Sequence, residues 1–220
     1  LYLASGAKQM ASEGNWFFMK IGGQPWLEKP PLPHWLVIAS ATLLGGFNET
    51  TCRLPSVLAG VGLVLIMAGL AARFYGEDAG RIAGALQCTL GYSVTYARLA
   101  EEDMLLALLV AAAFAVFVQL QSIGNGQSEQ RNRLWSTSFW FLIGLTSLVK
   151  GPLFGTVLVL SPCVVWLLWQ RRRLGWQRLW SPVGIVVALF LMVSWPVLVM
   201  LREPTAINWW IGQIFRRAAG

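Results

Sequence analysis

Residues 104–122 read MLLALLVAAAFAVFVQLQS, with no charge and with polar side chains only in the last turn. At about 1.5 Å of rise per residue, a helix of this length crosses roughly 30 Å of hydrocarbon. Similar apolar stretches occupy 54–73, 82–99, 135–149, 152–170 and 181–201, which together predict about six membrane spans. Over the whole chain of 220 residues, 56% are hydrophobic and 12% charged, against roughly 25% charged in a soluble domain. A water-soluble globule is excluded, and the expected fold class is all-α, a polytopic transmembrane helical bundle. Cys88 and Cys163 fall inside apolar runs and Cys52 at the edge of one, without CxxC or Cys/His spacing, so no disulfide framework or metal cluster is expected.

The connectors set the topology. Arg73 and Arg81, then Arg131 and Arg133, then Arg171 to Arg173 with Arg178 cluster in alternate connectors, which the positive-inside rule assigns to the cytoplasm. The net charge of +7 is explained by these clusters, and without a basic stripe no nucleic-acid partner is expected. The other connectors then face outward together: Glu28 to Pro31, Arg98 to Asp103, Lys150 to Pro152, and the tail from Arg202 to Arg217. Before the first span, a short helix is expected near Leu3–Glu13, ended by Gly14 and followed by the breakers Gly22-Gly23 and Pro30-Pro31. Residues 34–47 are apolar but short, which suits an interfacial or re-entrant helix. The expected organisation is a partial first outward loop over 1–52, a helical bundle over 53–201 and the start of another outward segment over 202–220. With neither an initial Met nor a signal-peptide pattern, the stretch is expected to be internal to a longer chain.

Three charged clusters on that outward side carry the functional argument. In Glu28-Lys29-Pro30-Pro31 the prolines keep the backbone extended, so Lys29 is displayed where it could grip a lipid phosphate or simply snorkel. Glu101-Glu102-Asp103 puts three carboxylates between two apolar helices. They need a cation, a metal or a proton, although one or two could serve the dipole of the next helix. Arg98 precedes Glu102 by four residues and would pair with it if the helix ran that far. Lys150-Gly151-Pro152 joins two apolar helices and could be no more than an exposed turn. His34, the sole histidine, is expected at the interface. Of the 12 tryptophans, Trp16, Trp26, Trp35, Trp135, Trp180, Trp209 and Trp210 sit at span ends and are expected to form interfacial belts.

The ordered set Gly14-Asn15-Trp16, Gly23, Glu28-Lys29-Pro30-Pro31-Leu32, His34-Trp35-Leu36, Arg53-Leu54-Pro55-Ser56, Arg98-Leu99 with Asp103-Met104-Leu105, Lys150-Gly151-Pro152 and Trp195-Pro196 resembles the bacterial family 39-like glycosyltransferases. These comprise the lipid A aminoarabinose transferases and relatives in the protein mannosyltransferase superfamily. The resemblance implies a GT-C fold and an inverting transfer of a sugar from a polyprenyl-phosphate donor to a glycolipid or protein acceptor. It also implies an inner-membrane location with the site on the periplasmic face, and a first catalytic carboxylate upstream of Leu1-Tyr2. The family's second essential acid matches Asp103, with Glu102 beside it. Its donor-phosphate cations match Lys29 and Arg216 or Arg217; Lys150, by its place beside them on the outward side, is a further candidate donor-phosphate cation. The glutamate that helps hold a divalent metal in some relatives matches Glu28; where those carry a Glu-His pair, this chain reads Gly212-Gln213-Ile214, so the second metal ligand is missing.

Two rivals belong to other classes. A transporter or flippase would place charges near the bilayer midplane and show repeats in broken helices, whereas here the charges gather at one end. A noncatalytic lipid-binding paralogue would carry the same lysines without turning over donor.

Overall fold

The structure is a computed structural model that describes residues 2–122, 129–171 and 173–219, with side chains at 173–174 and 213–219 outside the description. It is helical throughout apart from one small hairpin. The N-terminal part comprises α1 (Tyr2–Glu13), β1 (Met19–Ile21), β2 (Gln24–Trp26) and α2 (Leu32–Leu43). Then come α3 (Glu49–Tyr75), α4 (Glu77–Thr89), α5 (Gly91–Arg98), α6 (Asp103–Gln121), α7 (Glu129–Lys150), α8 (Phe154–Trp169), α9 (Arg173–Leu179), α10 (Pro182–Arg202) and α11 (Ala206–Ala219).

Local chemistry explains the element ends. Asn48 accepts from the Thr51 amide at 3.0 Å, and the Thr51 hydroxyl accepts from the Asn48 amide at 3.0 Å. This reciprocal pair starts α3 by satisfying two amides that have no helical partner. At the head of α10, Ser181 Oγ accepts from the Gly184 amide at 3.1 Å, with Pro182 at the first helical position. Gly22 and Gly23 have φ of +59° and +81°, as the tight turn of the β1–β2 hairpin requires.

Among the described residues three helices, α3, α6 and α10, are long and apolar enough to cross a membrane, and they match the predicted spans 54–73, 104–122 and 181–201. Elsewhere the predicted runs take different bounds. The run 82–99 is not one helix: Leu90 is extended (ψ 114°), and the run splits into α4 and α5, of 13 and 8 residues. Neither reaches across hydrocarbon. The stretch 135–149 lies within α7, whose first turns carry Glu129, Arg131 and Arg133, and 152–170 yields the 16-residue α8.

Small residues let these helices approach closely. An added Cβ on Gly80 would sit 2.6 Å from Ala72 Cβ, and one on Gly84 3.3 Å from Ala68 Cβ, so α4 folds back onto α3 through matched small residues four apart. The main core joins α6, α7, α8 and α9 through Ala113, Phe117, Leu120, Phe139, Ile143, Val159, Cys163, Leu167 and Leu179. A second cluster joins Phe18 and Leu27 of the N-terminal loop to Leu148, Trp195, Val199 and Ala206. That loop is therefore packed over the ends of α7 and α10.

Tryptophans fix it there. Trp35 Nε1 donates to the Trp16 carbonyl at 2.8 Å, Trp195 Nε1 to Phe17 at 2.7 Å and Trp210 Nε1 to Leu27 at 2.8 Å. Trp26 and Trp209 meet edge to face at 6.1 Å. The interfacial-belt expectation is thus incomplete, because the side chains of Trp26, Trp35, Trp209 and Trp210 also tie the loop to the helices. An indole has one donor and a large apolar face, which suits that task.

Candidate active site

Helix direction brings the outward clusters together. α6 begins at Asp103 where α7 ends at Lys150, and the Pro30-Pro31 turn into α2 delivers Lys29 to the same end. Lys29 Nζ is ion-paired with Glu102, and Lys150 Nζ with Asp103. Consecutive carboxylates at one helix start are thereby bound to lysines from two other parts of the chain. Ser56 Oγ of α3 donates to the Glu101 carbonyl at 3.0 Å, which pins the acidic turn from a fourth element. Glu102 is the most enclosed of the four charged groups, its side chain 14% exposed against 37% for Lys29, 30% for Lys150 and 37% for Asp103. The site thus offers two cations and two anions at one rim, partly shielded from water, where charge-assisted bonds are stronger than in bulk solvent.

The turn after Lys150 is tightly specified. Gly151 has φ of +96° and Leu153 has φ of +79°, and the latter is unusual for a residue with a side chain. Lys150 Nζ also lies 5.8 Å from the Phe154 ring centroid, a cation–π arrangement that helps hold it in place.

Arg98 does not pair with Glu102. α5 ends at Arg98 and Leu99 is extended, so the four-residue helical spacing that would have joined them is lost. Arg53 is paired with Glu49 at 2.7 Å along α3 and stays outside the cluster. Arg216 and Arg217 fall on α11, but their side chains lie outside the described residues. Among the described residues, no three His, Cys, Asp or Glu side chains gather as a metal set. Glu28 by itself does not make a metal centre, and no chemical step is assigned to a metal.

His34 departs from its interfacial expectation: it is 4% exposed and packed beneath α1, where a Cβ on Gly6 would lie 3.0 Å from its Nε2. Neither ring nitrogen makes a well-formed hydrogen bond. Burial drives its pKa down to about 4, outweighing the Pro30 carbonyl and the Glu102 carboxylate, which favour the charged form; Lys29 adds to the depression. Above pH 6.5 the imidazole is neutral both folded and unfolded. As pH falls below 6.5 the unfolded chain takes up a proton that the folded one refuses, so stability declines. By pH 5 this loss should reach roughly 2 kcal/mol relative to pH 8. It is measured as thermal unfolding in detergent. His34→Leu should remove that acid-side slope, and an identical slope in the variant would refute the assignment.

Residues 28–199 match the family described as dolichyl-phosphate-mannose-protein mannosyltransferase, a stretch that contains Lys29, Glu102, Asp103 and Lys150. The undecaprenyl phosphate-alpha-4-amino-4-deoxy-L-arabinose arabinosyl transferase of Shewanella sediminis is 25% identical over 215 residues, covering 97% of this chain and 38% of that protein. Two crystal structures of ArnT from Cupriavidus metallidurans share the architecture. The apo state aligns with a TM-score of 0.84 at 27% identity, over 95% of this chain and 38% of that one. The state bound to undecaprenyl phosphate aligns with a TM-score of 0.82 at 29% identity, over 94% and 37%. The chain therefore spans little more than a third of the length of these relatives. With the match running through most of its own length and the helical membrane fold shared, this chain belongs to the dolichyl-phosphate-mannose-protein mannosyltransferase family.

Proposed function

We propose that this chain forms the donor-phosphate side of an inverting membrane glycosyltransferase, which moves a sugar from a polyprenyl-phosphate carrier to a glycolipid of the lipid A type. The site faces the periplasm at the inner membrane of a bacterium. The observation that carries this reading is the double pairing of Glu102 and Asp103 with Lys29 and Lys150. It is supported by relatives named as transferases of an undecaprenyl-phosphate-linked sugar and by a structural neighbour bound to undecaprenyl phosphate.

In the proposed reaction the acceptor hydroxyl oxygen attacks the anomeric carbon opposite the phosphate. The new C–O bond forms as the anomeric bond to phosphate breaks, its electron pair passing to the phosphate oxygen and the hydroxyl proton to a carboxylate. Charge growing on the leaving phosphate needs cations already in place, which is commonly a large catalytic effect. Lys29 meets it first, with Arg216 or Arg217 and Lys150 as further donors. Glu102 holds Lys29 in the donor-free site and yields it when phosphate arrives. Asp103 orients the acceptor and shares in proton removal.

The test supplies the full-length protein with undecaprenyl-phosphate-linked 4-amino-4-deoxy-L-arabinose and lipid A, then reads the product's anomeric configuration by NMR. A glycosylated lipid of configuration opposite to the donor's is expected. Retained configuration, or donor lost only to hydrolysis, would overturn the reading.

A further inference from the structure

The end of the bundle opposite the candidate site carries a feature unrelated to it. Arg73, near the end of α3, donates Nη1 to Gln119 Oε1 at 2.8 Å and Nη2 to the Ser122 hydroxyl. Both partners are neutral, and among the described residues no carboxylate pairs with this guanidinium. Arg81, close by in sequence, instead pairs with Glu77 and Asp78. Beside Arg73 a cleft of about 390 Å³ opens between α3, α6 and α8, walled by Phe114, Phe117, Pro162, Cys163 and Trp166. Phe117 and Trp166 meet edge to face at 5.5 Å, which makes that wall stiff. From Phe114 to Ser122 the cleft follows α6 for about 12 Å at the ordinary helical rise, so it runs from apolar depth to the polar rim.

These parts match one chemistry. An apolar cleft reaching the rim suits an acyl chain, and a guanidinium balanced by no carboxylate among the described residues suits a phosphate through its planar fork. A neutral lipid would leave the arginine unexplained. We propose that this cleft with Arg73 is a binding site for an anionic phospholipid, its chain along Phe117 and Trp166 and its phosphate on Arg73.

The test reconstitutes the full-length protein with equal phosphatidylglycerol and phosphatidylcholine and reads retained lipid by native mass spectrometry. Wild type should retain phosphatidylglycerol preferentially. Arg73→Gln should lower that preference roughly fivefold, as one interfacial cation is worth, while Arg73→Lys, which keeps the charge without the fork, should keep only part of it. Arg81→Gln, exposed and already paired, should leave it unchanged. Filling the cleft with Cys163→Phe should reduce retention of both lipids. Equal retention of the two lipids by wild type would overturn the site. So would no retained lipid, as when another helix of the protein covers the cleft. A preference indifferent to Arg73→Gln, as when the arginine serves only the helix C-termini, would do the same.

Discussion

Lys29→Ala is expected to lower sugar transfer by about 10²–10³-fold, the range seen when one preorganised electrostatic donor is removed from a developing anion. The lysine is held by Glu102 and displayed by Pro30-Pro31, so its loss removes a positioned charge and not merely a surface cation. Donor KM should rise and kcat fall together, because the phosphate carries charge before the bond breaks and more afterwards. The substitution also strands Glu102, which is only 14% exposed, and a stranded partner in a partly buried pair weakens folding. Lys29→Ala with Glu102→Gln separates the two effects: the double variant should regain the expression and melting behaviour of wild type and remain inactive. Lys29→Arg should keep part of the activity, since charge survives while the compact ammonium does not. Transfer by Lys29→Ala within a few-fold of wild type would remove Lys29 from the reaction.

Asp103→Asn is expected to cost about 10²-fold or more in kcat, within the range for a carboxylate that takes part in proton transfer. Asparagine keeps the size of the side chain and its ability to accept from Lys150, so α6 and α7 should stay in register. What it loses is the negative charge, and with it, in the proposed reaction, the means of receiving the acceptor proton. Donor KM should move less than in Lys29→Ala, because Asp103 holds Lys150, the secondary phosphate cation of the proposed reaction, and leaves the Lys29 pair with Glu102 in place. A raised donor KM with intact kcat would reverse the roles given to the two carboxylates.

The two pairs show where sequence reasoning succeeds and where it stops. The apolar runs 104–122 and 181–201 become α6 and α10 because an uncharged stretch of that length leaves backbone groups no partner but one another. The acidic triplet was conspicuous for the same reason, since charge beside hydrocarbon is costly. The partner of Glu102 was not legible. Arg98 lies four positions away on the chain, while Lys29 is 73 positions away, and only the fold decides that α5 stops and the first loop crosses over. The break at Leu90 was hidden as well, because hydropathy does not register that Gly80 and Gly84 let α4 turn back against Ala68 and Ala72 of α3. Burial of His34 depends on Gly6 leaving room for an imidazole, a coincidence between two helices that no local pattern records. The tryptophans were legible as amphipathic but not as donors to Phe17 and Leu27, since those carbonyls belong to a loop nearly the whole chain away.

The most direct test of the central claim counts carrier lipid. Membranes bearing the full-length protein are given undecaprenyl-phosphate-linked sugar labelled in both halves, with lipid A as acceptor. Free undecaprenyl phosphate and transferred sugar are then quantified together, for wild type and for Lys29→Ala. The account predicts that wild type releases carrier and transfers sugar in equal amounts, and that Lys29→Ala loses both in parallel. Donor that binds and is recovered intact from wild type, with neither carrier released nor sugar transferred, would contradict it and leave a lipid-binding membrane protein without chemistry.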